Sequence, residues 1–284
     1  MRPIALCIAF LVSMLASVPA LADMTDAQYL AAMAAMHHGD APTPSPGAVE
    51  KPVQPVSGTE VVYATVGGKP VKGYLTRPVS AKGPLPGIIV IHEWWGLNDN
   101  IRRTADRLAG EGYEALAVDL YNGQSAANPD DAKKYMMGVM NDPDSAKDNL
   151  KQAYAYLHDH EKAAKMGVIG WCFGGGWSLQ TALLFPDKLD AAVMYYGRPV
   201  TDVAQLSALK MPLIGFFGEL DQGITVADVD AFQKALQQAK VNAEIHEYPN
   251  AGHAFANPSG SGYQAAAAED SWQRTVKFLK DHLH

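Results

Sequence analysis

Five short apolar runs, rich in β-branched residues, recur along the chain and limit its fold more than any other feature. They occupy residues 87–91, 115–118, 167–169, 191–195 and 213–217. Runs that are apolar on both faces are typical of buried, mainly parallel strands. Helical patterns separate or follow them at about residues 99–111, 129–141, 144–160, 174–185, 225–239 and 262–282. A hairpin signal at 60–65 and 71–76 precedes these units, and a last strand is predicted at 243–248. The order predicts an α/β fold with a doubly wound, mainly parallel sheet and helices on both faces.

Composition and charge narrow the class of protein. The chain has 284 residues, of which 48% are hydrophobic and 19% charged, so disordered, collagen-like and coiled-coil proteins are excluded. The formal net charge is −7, and no basic stripe along the chain could follow a phosphate backbone. We therefore predict a globular protein that does not bind nucleic acid.

The first 22 residues resemble a secretory signal. One arginine is followed by a short apolar run, and small residues at positions 20 and 22 predict cleavage after Ala22. A retained membrane anchor is the alternative, but the run is short for a bilayer core about 30 Å thick. We expect an exported protein, periplasmic or secreted, with no stable membrane anchor after cleavage. Cleavage would remove Cys7 and leave Cys172 as the only cysteine, so no intramolecular disulfide could form.

Residues 23–57 differ in character from the domain predicted over 58–284. Residues 27–36 suit a short helix capped by Thr25 or Asp26, and prolines at 42, 44, 46, 52 and 55 predict a semi-rigid linker or strap. The cluster His37, His38 and Asp40 could bind a metal adventitiously, but no further ligands follow at a recognisable spacing. We predict no metal or organic cofactor. We also expect this segment to be dispensable for folding.

The candidate nucleophile is Cys172. The segment Gly-Trp-Cys-Phe-Gly at 170–174 follows an apolar strand and opens a helix, which is the context of the G-x-S-x-G nucleophile motif with cysteine in place of serine. Glycines at 170 and 174 give clearance for the tight turn, and the helix N-terminus lowers the thiol pKa. The alternative is a small buried hydrophobic residue.

A thiolate nucleophile needs a base, and the base needs a carboxylate that orients it. In this architecture they follow the nucleophile in the order acid, then histidine. His253 lies after the last predicted strand and is the candidate base. Asp221, after the preceding strand, is favoured over Glu219 as its partner. Both lie in loops at the carboxyl ends of strands, where open α/β sheets bind ligands.

The segment after the strand at 87–91 is the place where such folds present an oxyanion-hole amide. The backbone N–H groups of Trp94 and Phe173 would then face the developing oxyanion. Trp94 and Trp95 could instead be aromatic core residues, but the adjacent carboxylate of Glu93 favours a site.

Over residues 58–284 the chain resembles the dienelactone hydrolase family of α/β-hydrolases. The matching segments are E-x-x-G-L at 93–97, G-W-C-F-G-G-G at 170–176, Y-Y-G at 195–197, G-E-L-D at 218–221 and G-H-A-F-A at 252–256. The resemblance implies the α/β-hydrolase fold and a triad of Cys172, His253 and Asp221. It also implies that Glu93 holds the resting thiol and is displaced when substrate binds.

The chain departs from the family at the residues that bind the substrate. Dienelactone hydrolases recognise a substrate carboxylate with two arginines, but residues 121–150 contain no arginine and Asn257 follows the catalytic histidine segment. The neutral amide of asparagine cannot replace the planar, cationic guanidinium of arginine, so the substrate is not expected to be dienelactone itself. Lys133 and Lys134 could substitute, or could be solvated helix charges. Aromatic and polar side chains are the candidate substrate-binding residues, namely Trp95, Tyr135, Tyr195, Phe255 and Asn257.

The sequence thus predicts a hydrolase of small-molecule carboxylic esters or lactones. One alternative is a non-catalytic, exported protein that binds small molecules on the same scaffold, because a fold alone does not guarantee activity. A redox role for Cys172 is a third hypothesis, but the mature chain offers no resolving cysteine.

Overall fold

The structure, a computed structural model, describes residues 25–40, 42 and 50–284. The predicted signal segment and part of the predicted proline-rich linker lie outside the described residues. Within the described part, no helix is long and apolar enough to cross a membrane.

An eight-stranded sheet lies at the centre of the described chain. The strands are β1 (Val56–Val66), β2 (Lys69–Pro78), β3 (Gly87–Ile91), β4 (Glu114–Val118), β5 (Met166–Trp171), β6 (Ala191–Tyr195), β7 (Leu213–Gly218) and β8 (Ala243–Tyr248). Their order in the sheet is β1-β2-β4-β3-β5-β6-β7-β8. The pairs β1–β2 and β2–β4 are antiparallel, and all other neighbours are parallel. The predicted hairpin and the mainly parallel sheet are confirmed.

Helices pack against this sheet around one hydrophobic core. They are α1 (Asp26–Met36), α2 (Asp99–Gly110), α3 (Pro129–Asn141), α4 (Pro143–Ala155), α5 (Phe173–Leu184), α6 (Val203–Leu206), α7 (Val226–Ala239) and α8 (Ala265–Leu283). The helix predicted over 144–160 is α4 followed by a π-helical turn, Tyr156–His160. The sequence did not predict α6, because four residues are too few for a periodic signal.

Helix α1, which precedes the sheet, packs on the folded domain. The predicted first helix is confirmed as α1, and Thr25 caps it in a capping box with Gln28. Tyr29, Leu30 and Met33 of α1 are buried in the core. These residues bury apolar surface on the folded domain rather than on one another, and whether the segment is dispensable for folding stays a prediction.

The carboxyl ends of the parallel strands meet at one edge of the sheet, and the candidate site is built there. Glu93 follows β3, Cys172 follows β5, Tyr196 follows β6, Asp221 follows β7 and His253 follows β8. This is the edge at which open α/β sheets bind ligands.

The close approach of α5 to β3 gives a test of the fold. A methyl group on Gly174 would overlap the carbonyl oxygens of Ile91 and His92. These are backbone atoms of a central strand and its end, so they cannot move aside cheaply. We expect Gly174→Ala to lower the free energy of unfolding by about 1–3 kcal/mol or more, measured by urea denaturation.

Gly138 provides the matched control for that substitution. It lies inside helix α3, and a methyl group there would meet nothing within 4 Å. We expect Gly138→Ala to stabilise the protein by about 0.5–1 kcal/mol, because alanine loses less backbone entropy in a helix. Equal effects of the two substitutions would show that the contact at Gly174 does not matter.

Candidate active site

The thiol of Cys172 is presented by a strained turn between β5 and α5. Cys172 has a φ of 56° and a ψ of −118°, and its N–H donates to the Tyr195 carbonyl oxygen at 3.0 Å. A positive φ is unfavourable for a non-glycine residue and is typical of functional positions. A methyl group on Gly170 would overlap the backbone of Gly174, so this turn requires glycine at position 170. The structure thus places Cys172 at the N-terminus of α5, as the sequence predicted.

His253 and Asp221 form a buried pair beside this thiol. His253 Nδ1 lies 2.7 Å from Asp221 Oδ2, and the other carboxylate oxygen accepts hydrogen bonds from Gly223 N (2.8 Å) and Ile224 N (3.0 Å). A ring nitrogen of His253 lies within 4.8 Å of the Cys172 sulfur, and His253 Nε2 is buried with no hydrogen-bond partner among the described residues. Asp221, which the sequence favoured over Glu219, is therefore the carboxylate that pairs with His253, and Glu219 is exposed.

A second imidazole, which the sequence did not predict at the site, contacts the same sulfur. His37 follows α1, and its Nε2 lies 3.5 Å from Cys172 Sγ. Its Nδ1 lies 2.7 Å from Asp40 Oδ2, and its ring stacks on Trp94 at 4.6 Å between centroids. The only hint in the sequence was the cluster of His37, His38 and Asp40.

The electrostatics of the site favour a thiolate. Burial opposes ionisation of Cys172, but His253 and His37 outweigh it and lower the thiol pKa to about 6. Burial also disfavours a charged His253, but Asp221 and the thiolate raise its pKa well above the usual value. The sulfur and the imidazole are therefore stabilised together as an ion pair.

Glu93 lies in the site and is hydrogen-bonded to Asn257. Its Oε2 accepts a hydrogen bond from Asn257 Nδ2 at 2.9 Å, whereas the Cys172 sulfur lies 3.5 Å from His37 Nε2. The role that the family resemblance implied for Glu93, which is to hold the resting thiol, stays a prediction. Asn257, predicted to bind substrate, is 2% exposed and positions Glu93 instead. Burial and the neighbouring thiolate raise the pKa of Glu93 to about 8.

The pKa of Glu93 predicts how the protein's stability depends on pH. The folded protein holds this proton up to about pH 8, whereas an ordinary glutamate releases it near 4.5. Between these pH values the folded state binds more protons than the unfolded state. The free energy of unfolding therefore falls as pH rises. We expect Glu93→Gln to reduce this fall, leaving the variant more stable than wild type at pH 8 and similar at pH 5. Thermal unfolding of both proteins between pH 5 and 8 measures this difference. Midpoint temperatures that change with pH in parallel for wild type and Glu93→Gln would contradict the prediction.

Trp94 and Phe173, the predicted oxyanion-hole donors, lie beside the nucleophile. Phe173 is the first residue of α5, where backbone N–H groups have no partner within the helix. Trp94 is buried, and its ring contacts His37. The oxyanion role of these two amides stays a prediction.

The predicted substrate-binding aromatic residues are distributed differently. Trp95 is fully buried and contacts the edge of His37 at 6.2 Å between ring centroids. Tyr135 lines a separate cavity with Val139 and its neighbours. Phe255 is buried, and its ring contacts those of Tyr248 and Tyr196 at 5.1 and 5.2 Å between centroids. Of these three predicted residues, Trp95 is the one whose ring contacts His37.

Tyr195 is a core residue, and its neighbour Tyr196 is the one that faces the site. The hydroxyl of Tyr195 donates to the Ser271 carbonyl oxygen at 2.9 Å, and its ring stacks on Trp171. The Tyr196 ring contacts the His253 ring at 5.2 Å between centroids. Side chains alternate along a strand, so the first residue past the end of β6 could have been identified from the register alone.

Three ligand atoms converge in this site. One ring nitrogen each of His37 and His253 and the sulfur of Cys172 lie within 4.8 Å of one another, and all three residues are buried. Two imidazoles and a thiolate are ligands that zinc prefers. Acyl transfer by a thiolate needs no metal, so the same atoms can act without one.

Comparisons with known proteins identify the family of this chain. The model of the dienelactone hydrolase family matches residues 71–283. Protein usf of Aquifex pyrophilus is 36% identical over 223 residues, covering 76% of this chain and 95% of its own length. The "Putative carboxymethylenebutenolidase" of Escherichia coli strain K12 is 35% identical over 234 residues, covering 76% and 84%.

A solved structure, that of the "Putative Dienelactone Hydrolase" of Klebsiella pneumoniae, superimposes with a TM-score of 0.73 at 29% identity. The superposition covers 81% of this chain and all of that chain. The α/β-hydrolase fold is thereby confirmed. The chain belongs to the dienelactone hydrolase family, whose members hydrolyse esters and lactones.

Proposed function

We propose that this protein hydrolyses carboxylic esters or lactones with Cys172 as its nucleophile, His253 as its acid and base, and Asp221 as the group that orients His253. One observation carries the proposal. His253 lies between a buried carboxylate and a buried thiol that stands on a strained strand-to-helix turn. This arrangement is that of a nucleophile, a base and an orienting acid.

The acylation step follows from these positions. The Cys172 thiolate attacks the carbonyl carbon, and the C–O π electrons move to oxygen, where the N–H groups of Trp94 and Phe173 stabilise them. When the carbonyl re-forms, the bond to the leaving oxygen breaks. His253 gives its Nε2 proton to that oxygen. The products are a thioester on Cys172 and an alcohol, which stays attached to the acyl group if the substrate is a lactone.

Deacylation reverses the direction of proton transfer. Neutral His253 takes a proton from water, and the resulting hydroxide attacks the thioester carbon. The C–S bond then breaks, and the electron pair returns to sulfur. The acid is released, and the thiolate faces an imidazolium again. Asp221 keeps the Nδ1 proton of His253 in place throughout, so that Nε2 exchanges the proton.

We expect neutral, apolar substrates rather than anionic ones. A groove beside α1 is lined by Phe173 and by apolar side chains that include Tyr29, Met136, Met140 and Trp177, together with the charged side chains of Asp26, Lys147 and Arg198. Arg198 pairs with Asp26 and Lys147 pairs with Asp144, both at 3.0 Å, so each cation of the groove already has an acidic partner. Asn257, at the position after the catalytic histidine segment, already donates to Glu93. The amide is therefore engaged within the protein, which supports a substrate other than dienelactone.

Turnover measurements test the proposed reaction. Purified protein is assayed with neutral esters, thioesters and lactones, and with matched compounds that carry a carboxylate. We expect hydrolysis of the neutral compounds, and we expect mass spectrometry of rapidly quenched protein to find the acyl group on the tryptic peptide that contains Cys172. Binding of the compounds without turnover would contradict the proposal and favour the non-catalytic alternative.

We also propose that the mature protein is exported, periplasmic or secreted. The charge and apolar pattern of residues 1–22 supports this location. Expression of the full chain in a bacterial host, followed by N-terminal sequencing of the exported fraction, is expected to find a mature chain that starts at Asp23. An uncleaved chain in the cytoplasm would contradict it.

A further inference from the structure

The catalytic sulfur has a second imidazole–carboxylate pair, which the proposed mechanism does not use. His37 Nε2 lies 3.5 Å from Cys172 Sγ, and His37 Nδ1 lies 2.7 Å from Asp40 Oδ2. The pair repeats the relation of His253 and Asp221 to the same sulfur. It comes from the segment that precedes the sheet, 135 residues before the cysteine.

Asp40 is held as firmly as Asp221. Its Oδ1 accepts hydrogen bonds from the backbone N–H and the hydroxyl of Ser261, both at 2.7 Å. Burial opposes ionisation of Asp40, but His37 and Ser261 outweigh it and lower its pKa. Asp40 is therefore an ionised carboxylate, and it accepts a hydrogen bond from the Nδ1–H of His37. In the neutral ring, Nε2 then carries the lone pair, and this lone pair faces the thiol.

His37 is also fixed in place by its packing. Its side chain is fully buried, stacks on Trp94 with an interplanar angle of 24°, and meets the ring of His253 nearly edge-on at 5.2 Å. Met33, four residues earlier on α1, is fully buried in the core. The ring therefore has little freedom to leave the sulfur unless α1 also moves.

We propose that His37, oriented by Asp40, is a second catalytic imidazole of Cys172, supplied by the segment before the sheet. This proposal rests on the proposed function, and it adds a residue to that reaction. In the resting enzyme, the thiol proton passes to His253 Nε2. Burial opposes a charged His37, but Asp40 and the thiolate outweigh it and raise the His37 pKa, so His37 takes up a proton from solvent and donates its Nε2–H to the thiolate. In acylation His253 gives its proton to the leaving oxygen, and in deacylation it takes one from water. His37 keeps its own proton throughout and donates to the sulfur again as the C–S bond breaks.

Several other groups face the same sulfur, and the design of a pH experiment has to include them. They come from the segments after β3, β4, β6, β7 and β8 and from α1: Glu93, Tyr121, Tyr196, Asp221, His253 and Tyr29. Burial raises the pKa of the three tyrosines, so they stay neutral over the range of the experiment. Glu93 titrates near pH 8, above the thiol, and is present unchanged in every variant used.

The experiment measures thiolate formation directly, through its ultraviolet absorbance as a function of pH. Full-length protein is titrated in the presence of EDTA, and for each variant the same protein with Cys172→Ser as well serves as the blank. Wild type is expected to ionise near pH 6. In His37→Ala the midpoint is expected to rise by about one pH unit or more, which means about 10-fold less thiolate below the midpoint. Asp40→Asn is expected to shift it in the same direction.

His38→Ala is the matched control. His38 is the adjacent residue of the same type, but it is exposed, so its removal is expected to leave the midpoint and the turnover unchanged. Thermal unfolding shows whether His37→Ala folds. If it does not fold, the isosteric variant Asp40→Asn provides the test. A loss of kcat in His37→Ala with a small change in KM is expected alongside the shift.

Two results would overturn the proposal. An unchanged midpoint in His37→Ala and Asp40→Asn would show that His37 does not hold the thiolate. If, in addition, His37→Ala hydrolyses esters faster and its thiol is alkylated faster than in wild type, His37 only obstructs the site. Failure of the proposed function is a separate result, since absence of ester turnover in wild type would leave the titration shift measurable.

Discussion

Cys172→Ala is expected to lower kcat/KM for ester hydrolysis by about 10³-fold or more, because removal of the nucleophile eliminates the covalent route. The side chain is small and fully buried, so the substitution removes one sulfur atom and leaves the surrounding backbone intact. The residual rate would come from the oxyanion amides and substrate binding alone. Steady-state kinetics on the substrate that wild type hydrolyses fastest measure the effect.

Two further measurements make the result decisive. Thermal unfolding is expected to show a folded variant, so that loss of activity is not loss of structure. Cys172→Ser is expected to remain far below wild type, because a serine hydroxyl in this turn is not ionised near neutral pH as the thiol is. Activity of Cys172→Ala close to that of wild type would refute the nucleophile assignment.

His253→Ala is expected to lower kcat by about 10²–10⁴-fold, which is the usual contribution of a positioned acid and base. His37 remains beside the sulfur in this variant, so part of the thiolate is expected to persist. The loss of kcat then comes mainly from slower proton transfer to the leaving group and slower proton transfer from water. A quenched reaction is expected to accumulate acyl-enzyme, because deacylation loses its base.

His158→Ala is the control for this substitution. His158 is exposed and pairs with Asp159 on the surface, so its removal is expected to leave kcat unchanged. The double variant of His37 and His253 completes the comparison and is expected to raise the thiol midpoint further than either single change. Equal turnover of His253→Ala and wild type would show that His253 is not the base.

Local patterns were sufficient to predict most of the fold and the main residues of the site. The apolar runs predicted β3 to β7, and the turn from β5 to α5 was identifiable because glycines at 170 and 174 flank the cysteine at the close contact. Chain order then predicted the pairing of His253 with Asp221, which the 2.7 Å contact confirms. These features depend on neighbours in the sequence or on the edge where parallel strands end.

Contacts between distant segments were not predictable in the same way. His37 reaches Cys172 only because α1 buries Tyr29, Leu30 and Met33 on the folded domain. No local pattern in residues 26–36 specifies that docking. Asn257 likewise looked available for substrate, but the fold places it against Glu93, which lies 164 residues away in the chain.

The sequence by itself determined the sheet, the position of the nucleophile and the pairing of His253 with Asp221. Periodicity, turn chemistry and strand ends are properties of short segments, and they act before the chain is folded. Only the tertiary structure decided which side chain contacts the sulfur and which carboxyl stays protonated. Those outcomes depend on burial and on distances between segments far apart in sequence, which exist only after the core has formed.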